Sequence, residues 1–334
     1  MHSSQIINRQ KVINIGILGY ASIAKNKVIP AILSEKEKFK LIGIASRDLK
    51  YSKEIINNYK CEFFNDYDTL INNPSLDAIY IPLPNALHFL WAKKCLQRGL
   101  HILLEKPSTC NYQDTIELVN IANSSHLSFV ETFQFRFHKQ FELIKTLIKD
   151  ETIGELRNIR SSFGFPKIDY PNNIRYLKKL GGGSLFDAGV YPLKISSLIL
   201  GNQISVKSAM LYKCPLLDID MRGDVFLQDK NFISSQISFG FDNYYQCTLD
   251  IWGSKGKITA NRIFTAPNDL DIYINLETKD FKKNILVGKD DHFRNLLSYF
   301  HKTIFNRNLA TEELKLILKQ SKLVNEIQVK ATLS

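Results

Sequence analysis

The sequence predicts an α/β protein. An N-terminal doubly wound Rossmann domain is followed by an α+β domain built on a large, mostly antiparallel open sheet. Three observations carry this reading. Short apolar runs alternate with helical stretches over residues 12–131, the pattern of a parallel sheet covered on both faces. The first run leads into a glycine-headed turn, Gly19-Tyr20-Ala21-Ser22-Ile23-Ala24, where a Rossmann fold places its phosphate-binding turn. Past Phe133 the rhythm becomes strand-rich and stays so to about Leu286.

Residues 12–18 form a β-rich run, and the helix after the turn shows Ile23, Val28, Ile29 and Ile32 at helical spacing. Residues 41–45 read as the second strand, ending in Ser46-Arg47-Asp48; two strands bracketing one helix make a βαβ unit. The alternation continues with a helix at 50–59, a strand at 61–64, a helical turn at 67–71, a strand at 77–81 and a helix at 87–98. The apolar run 101–104 is stopped by Glu105-Lys106-Pro107, because proline cannot continue a ladder. A helix at 112–122 and a sixth strand at 127–131 complete the first domain. Beyond it, a helix is expected at 141–149, a long strand at 156–165 and a helix at 185–200 after the loop Gly181-Gly182-Gly183. Strands are expected at 205–212, 224–227, 233–239, 245–252, 257–261 and 270–276, then closing helices at 292–301 and 311–329. The division is therefore 11–131 for cofactor binding and 132–334 for substrate binding and oligomerisation, with the last helix able to pack back on the first domain.

The 334 residues suffice for two cores. A hydrophobic fraction of 44% with 23% charged residues is that of a soluble globular chain. No stretch reaches the ~20 apolar residues of a membrane span, since 190–200 is broken by Pro192 and Lys194. The polar stretch 1–11 has no apolar core of a secretion signal. Five widely spaced cysteines, with no Cys-x-x-Cys pair, fit reduced thiols in a cytoplasm rather than disulfides or zinc. The histidines are scattered, so no metal is expected. The net charge of +11 comes from dispersed lysines rather than a basic arm. That argues against nucleic acid and leaves two readings, a lysine-rich composition with no partner or attraction of an anionic substrate and cofactor.

The first turn should hold a dinucleotide pyrophosphate. A Rossmann turn needs a glycine for the bend and small residues where backbone approaches phosphate and helix meets strand; these are Gly19, Ala21 and Ala24. Tyr20 lies within the turn, and the N–H groups of Ala21, Ser22 and Ile23 would face the phosphates at the positive helix end. At the end of the second strand, Arg47 offers a planar fork suited to a 2′-phosphate, with Ser46 adding a hydroxyl. This favours NADP(H), although Asp48 could serve an NAD ribose instead. The loop after the fourth strand, with Pro82, Leu83, Asn85 and His88, is placed to cover the nicotinamide ribose. Glu105 and Lys106 stand at the carboxyl end of the fifth strand, the ligand-binding edge of such a sheet. In the second domain Asp187 and Tyr191 share a helix face, being four residues apart. A Lys, a Tyr and an Asp suffice for carbonyl reduction. Tyr191 can give the proton, Lys106 can lower the Tyr pKa towards the working pH, and Asp187 can orient both. Arg175 and Lys178, just before the glycine run, are candidates for a substrate diphosphate.

Taken together, Gly19-Tyr20-Ala21-Ser22-Ile23-Ala24, Glu105-Lys106-Pro107 and the stretch from Gly181 to Tyr191 resemble the glucose–fructose oxidoreductase / inositol dehydrogenase (Gfo/Idh/MocA) superfamily across nearly the whole chain. Many members carry His at the position of Tyr191. Tyr is similar to the branch of glucose–fructose oxidoreductase, the dihydrodiol and xylose dehydrogenases and the nucleotide-sugar 3-ketoreductases. Ala21-Ser22-Ile23-Ala24 with Pro30, Val190-Tyr191-Pro192, and 253–257 leading to 262–267 resemble the 3-ketoreductases most. The resemblance implies an NADPH-dependent ketoreductase acting on a nucleotide-activated keto-deoxysugar, cytoplasmic and homo-oligomeric. Two other readings stay open: an NADP-dependent dehydrogenase of a free sugar or dihydrodiol, and a non-enzymatic ligand sensor on the same fold.

Overall fold

A computed structural model describes residues 11–333; the leading stretch read above as lacking a secretion signal lies, apart from Lys11, outside them. The first sheet contains β1 (Ile13–Leu18), β2 (Phe39–Ala45), β3 (Glu62–Phe64), β4 (Ala78–Ile81), β5 (His101–Leu104) and β6 (Phe129–Glu131) in the order β3-β2-β1-β4-β5-β6, every pair parallel. The strand order reverses between β1 and β4, which opens a crevice at the carboxyl edge. Alternate residues of the strands enter two cores. Ile79, Ile102 and Leu104 face one, with helices α3 (Tyr67–Ile71), α4 (His88–Gln97) and α5 (Tyr112–Ser124). Tyr80, Leu103 and Val130 face the other, with α1 (Ile29–Ser34) and α2 (Ser52–Tyr59). The first helix opens with a wide turn, Ala24–Val28, in which Ile29 bonds back to the Ala24 carbonyl. Pro30 lacks the N–H that a regular turn would return to residue 26, so the ladder is loosened there.

Helix α6 (Lys139–Lys149) leads to β7 (Leu156–Phe165), α7 (Val190–Leu200), and the strands β8 (Ser205–Cys214), β9 (Ile219–Gln228), β10 (Ser234–Phe241), β11 (Gln246–Gly253), β12 (Gly256–Asn261), β13 (Ile272–Thr278) and β14 (Lys282–Gly288). Then come α8 (His292–Phe305), α9 (Arg307–Lys330) and β15 (Ala331–Leu333). The second sheet runs β14-β13-β12-β11-β7-β10-β9-β8-β15. It is mostly antiparallel, with parallel pairs at β7–β10 and β8–β15. Helix α7 lies on one face and is buried nearly all round, Lys194 included.

Two strands and part of a third escape the sequence reading. β14 carries Lys282-Lys283-Asn284 and is an exposed edge, so it lacks an apolar alternation; β15 has three residues. β9 extends through Asp220 to Arg222, polar residues that a propensity reading leaves in a loop. Helix α9 starts earlier than expected, at Arg307, where Asn306 caps it by accepting the Leu309 N–H at 3.1 Å.

Candidate active site

Lys106 follows β5, and its position is set by what surrounds the loop. The Glu105 N–H bonds the Ile81 carbonyl at 3.1 Å, and the Glu105 carboxyl accepts the Tyr80 hydroxyl at 2.7 Å. Burial raises the Glu105 pKa, with that hydroxyl and Lys106 pulling against it. Two residues on, the Ser108 N–H donates to Glu131 at 2.8 Å.

His88 has a different role from the one expected. It is fully buried, and each ring nitrogen lies 2.8 Å from a backbone carbonyl, Pro107 on one side and Leu83 on the other. Burial lowers its pKa to about 4 against the pull of those carbonyls. As a neutral ring it donates to one of these carbonyls and packs against the other, so it is wedged between the loop after β4 and the loop after β5 with both nitrogens turned to backbone. Asn85 is also engaged: its amide donates to the Gly181 carbonyl at 2.8 Å, tying this loop to the glycine run. Pro82 and Leu83 lie beside the first turn, within 4 Å of where a Cβ on Gly19 would stand.

At that turn Gly19 has φ +103°, and a Cβ there would stand 2.9 Å from Leu83 Cδ2. Only glycine takes this backbone without strain. The helical ladder begins with Lys25 N–H to Ala21 carbonyl at 3.0 Å, so the N–H groups of Ala21, Ser22 and Ile23 precede it and point out of the helix start. Tyr20 packs edge-on against Tyr51, and its hydroxyl is held by Glu54 and Tyr59 at 2.8 Å each. Ser46 is buried and accepts the Asp48 N–H at 3.2 Å. Arg47 is exposed, 6.0 Å from the Tyr67 ring, with no carboxylate partner among the described residues. Asp48, its rival for a ribose, is already paired with Lys50 at 2.7 Å. An adenosine 2′-phosphate therefore fits this edge better than a free 2′-hydroxyl does. The glycine cradle and the free N–H groups fit a pyrophosphate.

The other half of the site comes from a wide helical turn, Leu185–Gly189, that runs into α7. Its start is fixed by Asp220 on β9, which accepts the Ser184 hydroxyl at 2.7 Å and the Leu185 N–H at 2.6 Å. Nothing local in the sequence marks Asp220; the partners are 36 and 35 residues apart. Asp187 then reaches Lys106: Nζ donates to Oδ1 at 2.8 Å and to the Asp187 carbonyl at 2.9 Å. Arg175 Nε donates to Oδ2 at 2.6 Å. Burial would raise the Asp187 pKa, but Lys106 and Arg175 overcome it and hold the carboxyl at about 2. Lys106 is held above its usual value because Asp187 and its other charged neighbours outweigh burial. Lys178, by contrast, points away and pairs with Asp218.

Tyr191 lies with its ring 5.1 Å from Lys106 Nζ, among Phe133, Phe135, Phe163 and Phe264 at 5.2–6.1 Å between centroids. Here the expectation is corrected. Burial raises the phenol pKa, Glu105 and Asp187 add to that, and Lys106 pulls it down without overcoming them. Behind the site, Lys194 is wholly buried 3.6 Å from Glu131, and burial lowers its pKa to about 8. No group of metal-ligating side chains occurs among the described residues.

Residues 13–133 match the family model described as oxidoreductase family, NAD-binding Rossmann fold, and residues 141–259 match the C-terminal domain of the same family. The chain belongs to the Gfo/Idh/MocA oxidoreductases. It is similar to a dTDP-3,4-didehydro-2,6-dideoxy-alpha-D-glucose 3-reductase of Saccharopolyspora spinosa, 32% identical over 295 residues and 88% of each chain. It is also similar to a D-xylose 1-dehydrogenase (NADP(+)) of Haloferax volcanii, 30% identical over 75% of this chain and 76% of that one. Among solved structures, KijD10, a 3-ketoreductase from Actinomadura kijaniata in complex with NADP and TDP-benzene, superposes with a TM-score of 0.92 at 28% identity, over 97% of this chain and 99% of that one. As a Gfo/Idh/MocA member, the chain is a nicotinamide-dependent oxidoreductase on a Rossmann sheet, and no described helix is long and apolar enough to cross a membrane.

Proposed function

We propose that this enzyme uses NADPH to reduce a keto group on a nucleotide-activated deoxysugar. The observation that carries the reading is the Lys106–Asp187 contact at 2.8 Å, with Tyr191 over the ammonium, at the carboxyl edge of the β1–β4 crevice. Relatives in the 28–32% identity range that act as 3-reductases support the substrate class. Solved forms of KijD10 with a tyrosine changed to phenylalanine, or a lysine to alanine, are consistent with Tyr191 and Lys106 as reacting groups.

The cofactor would rest on the N–H groups of Ala21, Ser22 and Ile23, with Arg47 and Ser46 at the 2′-phosphate and Tyr20, Pro82, Leu83, Asn85 and Glu105 lining its path. When bound it supplies a hydride to the carbonyl carbon. The chain does the rest. The oxygen that becomes a hydroxyl needs one proton, and Tyr191 supplies it from the phenol. The raised phenol pKa keeps that proton in place before reaction. Lys106 stabilises the phenolate left behind. Asp187 fixes the lysine head so that the charge stands beside the phenol rather than in solvent.

The reduced cysteines fit a cytoplasmic enzyme, and the uncovered face of the second sheet fits a homo-oligomer, whose mass light scattering would report. The xylose dehydrogenase relative keeps a second reading alive, oxidation of a free sugar with NADP. A panel of keto-sugars with and without a nucleoside diphosphate separates the two. NADPH oxidation confined to the nucleotide-linked sugars is expected; equal turnover of free sugars would overturn the proposal.

A further inference from the structure

The glycine run is where three distant pieces of the chain meet. A Cβ on Gly181 would stand 2.7 Å from Cys110 Sγ and 2.8 Å from Asn85 Cβ. A Cβ on Gly182 would stand 2.5 Å from the Arg175 carbonyl oxygen, closer than Cβ atoms come. That carbonyl accepts the Gly183 N–H at 2.9 Å. The glycines therefore let the backbone of Arg175 seat directly on the strap that carries Asp187. Asn173 holds the same residue from the other side, accepting both the Arg175 N–H and Nη1 at 3.1 Å. With backbone and guanidinium both pinned, Nε reaches Asp187 Oδ2 at 2.6 Å while Oδ1 stays on Lys106.

We infer that Arg175 is a positioning residue of the reductase, fixing the Asp187 carboxylate so that Lys106 stays directed at Tyr191. The sequence placed it with a substrate diphosphate; the geometry spends its Nε on the catalytic carboxylate instead. The charge balance leads to the same assignment. Glu105 and Asp187 are two half-buried acids at the site, and Lys106 alone cannot offset both. Arg175 supplies the second positive charge. Without it, Asp187 Oδ2 would lose its side-chain partner, and the carboxylate would be free to rotate and draw Lys106 away from the phenol. A misplacement of about 1 Å at a reacting centre is worth about 10²-fold in rate.

This inference rests on the reductase reading, so its test has one arm without turnover. In the cofactor-free protein, the Asp187 carboxyl is followed by carbon NMR against pH. Arg175→Gln should raise its pKa by roughly 1–3 units, the effect of removing one adjacent cation. In steady-state kinetics with a nucleotide-linked keto-sugar, Arg175→Gln should lower kcat about 10²-fold and leave the sugar KM and the NADPH Kd within a few-fold. Arg175→Lys, which keeps the charge but not the Nε geometry, should recover part of kcat. Should Arg175→Gln fail to fold, Asn173→Ala loosens the same arginine and should shift both readouts in the same direction by less. An unmoved Asp187 titration, or a rise in sugar KM at full kcat, would overturn the inference and return Arg175 to the diphosphate. If the wild-type protein turned over no keto-sugar, the reductase reading would fail, and the Asp187 titration would still decide the arginine's role.

Discussion

The two halves of the active site are built in different ways. On the Rossmann side, each residue stands at the end of its own strand, and its neighbours are one strand away: Glu105 bonds Ile81 and Tyr80, and Lys106 follows directly. On the other side, the strap that carries Asp187 and Tyr191 is held by residues 12 to 96 positions from their partners. Asp220 anchors the turn, Asn85 bonds Gly181, and Arg175 closes on Asp187. The first half is a property of the sheet edge. The second half exists only when several segments have already docked.

That contrast sets the order of expected effects. The largest belong to the groups where both halves meet. Tyr191→Phe keeps the ring among its phenylalanines and removes only the proton, so kcat should fall roughly 10²–10⁴-fold with NADPH binding intact. Lys106→Met should be at least as damaging, because it also leaves Asp187 without one of its two cations. A Tyr191→Phe enzyme with near-normal kcat would remove Tyr191 from the chemistry. Next comes Arg47→Ala, a change confined to the Rossmann side. It should raise the NADPH KM about 10–100-fold, the worth of a charge-assisted bond to phosphate. NADH use should hardly move, and a wild type that prefers NADH would contradict the assignment.

Asp220→Ala probes the long-range half. It strips the turn of two hydrogen bonds, which should lower stability by about 1–3 kcal/mol in denaturant melts and reduce kcat while the NADPH Kd holds. Equal loss of cofactor affinity would erase the distinction between the halves. The smallest effect is a pH dependence. Burial lowers the Lys194 pKa from 10.5 to about 8, so the folded chain gives up this proton before the unfolded chain does. Between those two values the unfolded state binds more protons, and stability from this group rises with pH. The difference in thermal midpoint between wild type and Lys194→Met should therefore shift in favour of wild type from pH about 8 to about 10. A flat difference would mean that Glu131 holds the lysine charged throughout.

The same contrast explains what could be read from the residues. The parallel strands were legible because both faces are buried, leaving apolar runs such as Ala78–Ile81 bounded by turns. Lys106 was legible because a strand ending in a charged pair and a proline points to one edge of one sheet. His88 was placed in the right loop with the wrong duty, because a sequence does not say that two carbonyls will converge on a ring. Asp220 became visible only through partners elsewhere in the chain, and Arg175, singled out in the sequence for a diphosphate, shows its contact with Asp187 only in the fold. The direction of the Tyr191 shift was missed for a related reason: proximity of Lys106 is implied by the pattern, but the four phenylalanines that desolvate the phenol are not.

Both cores of the first sheet contain residues from the far end of the chain. Phe293, Leu296, Leu297 and Phe300 of α8 complete one, and Leu314 and Ile317 of α9 complete the other. Helix α9 then continues into the core of the second sheet through Leu323, Val324 and Ile327. Order of synthesis and order of completion are thus reversed for the nucleotide-binding half. Its six strands leave the ribosome early, yet neither of its faces is sealed until roughly 160 to 190 further residues have been made. In that interval the apolar seats for α8 and α9 stand open to water, and a helper that shields hydrophobic surface would find its natural targets there.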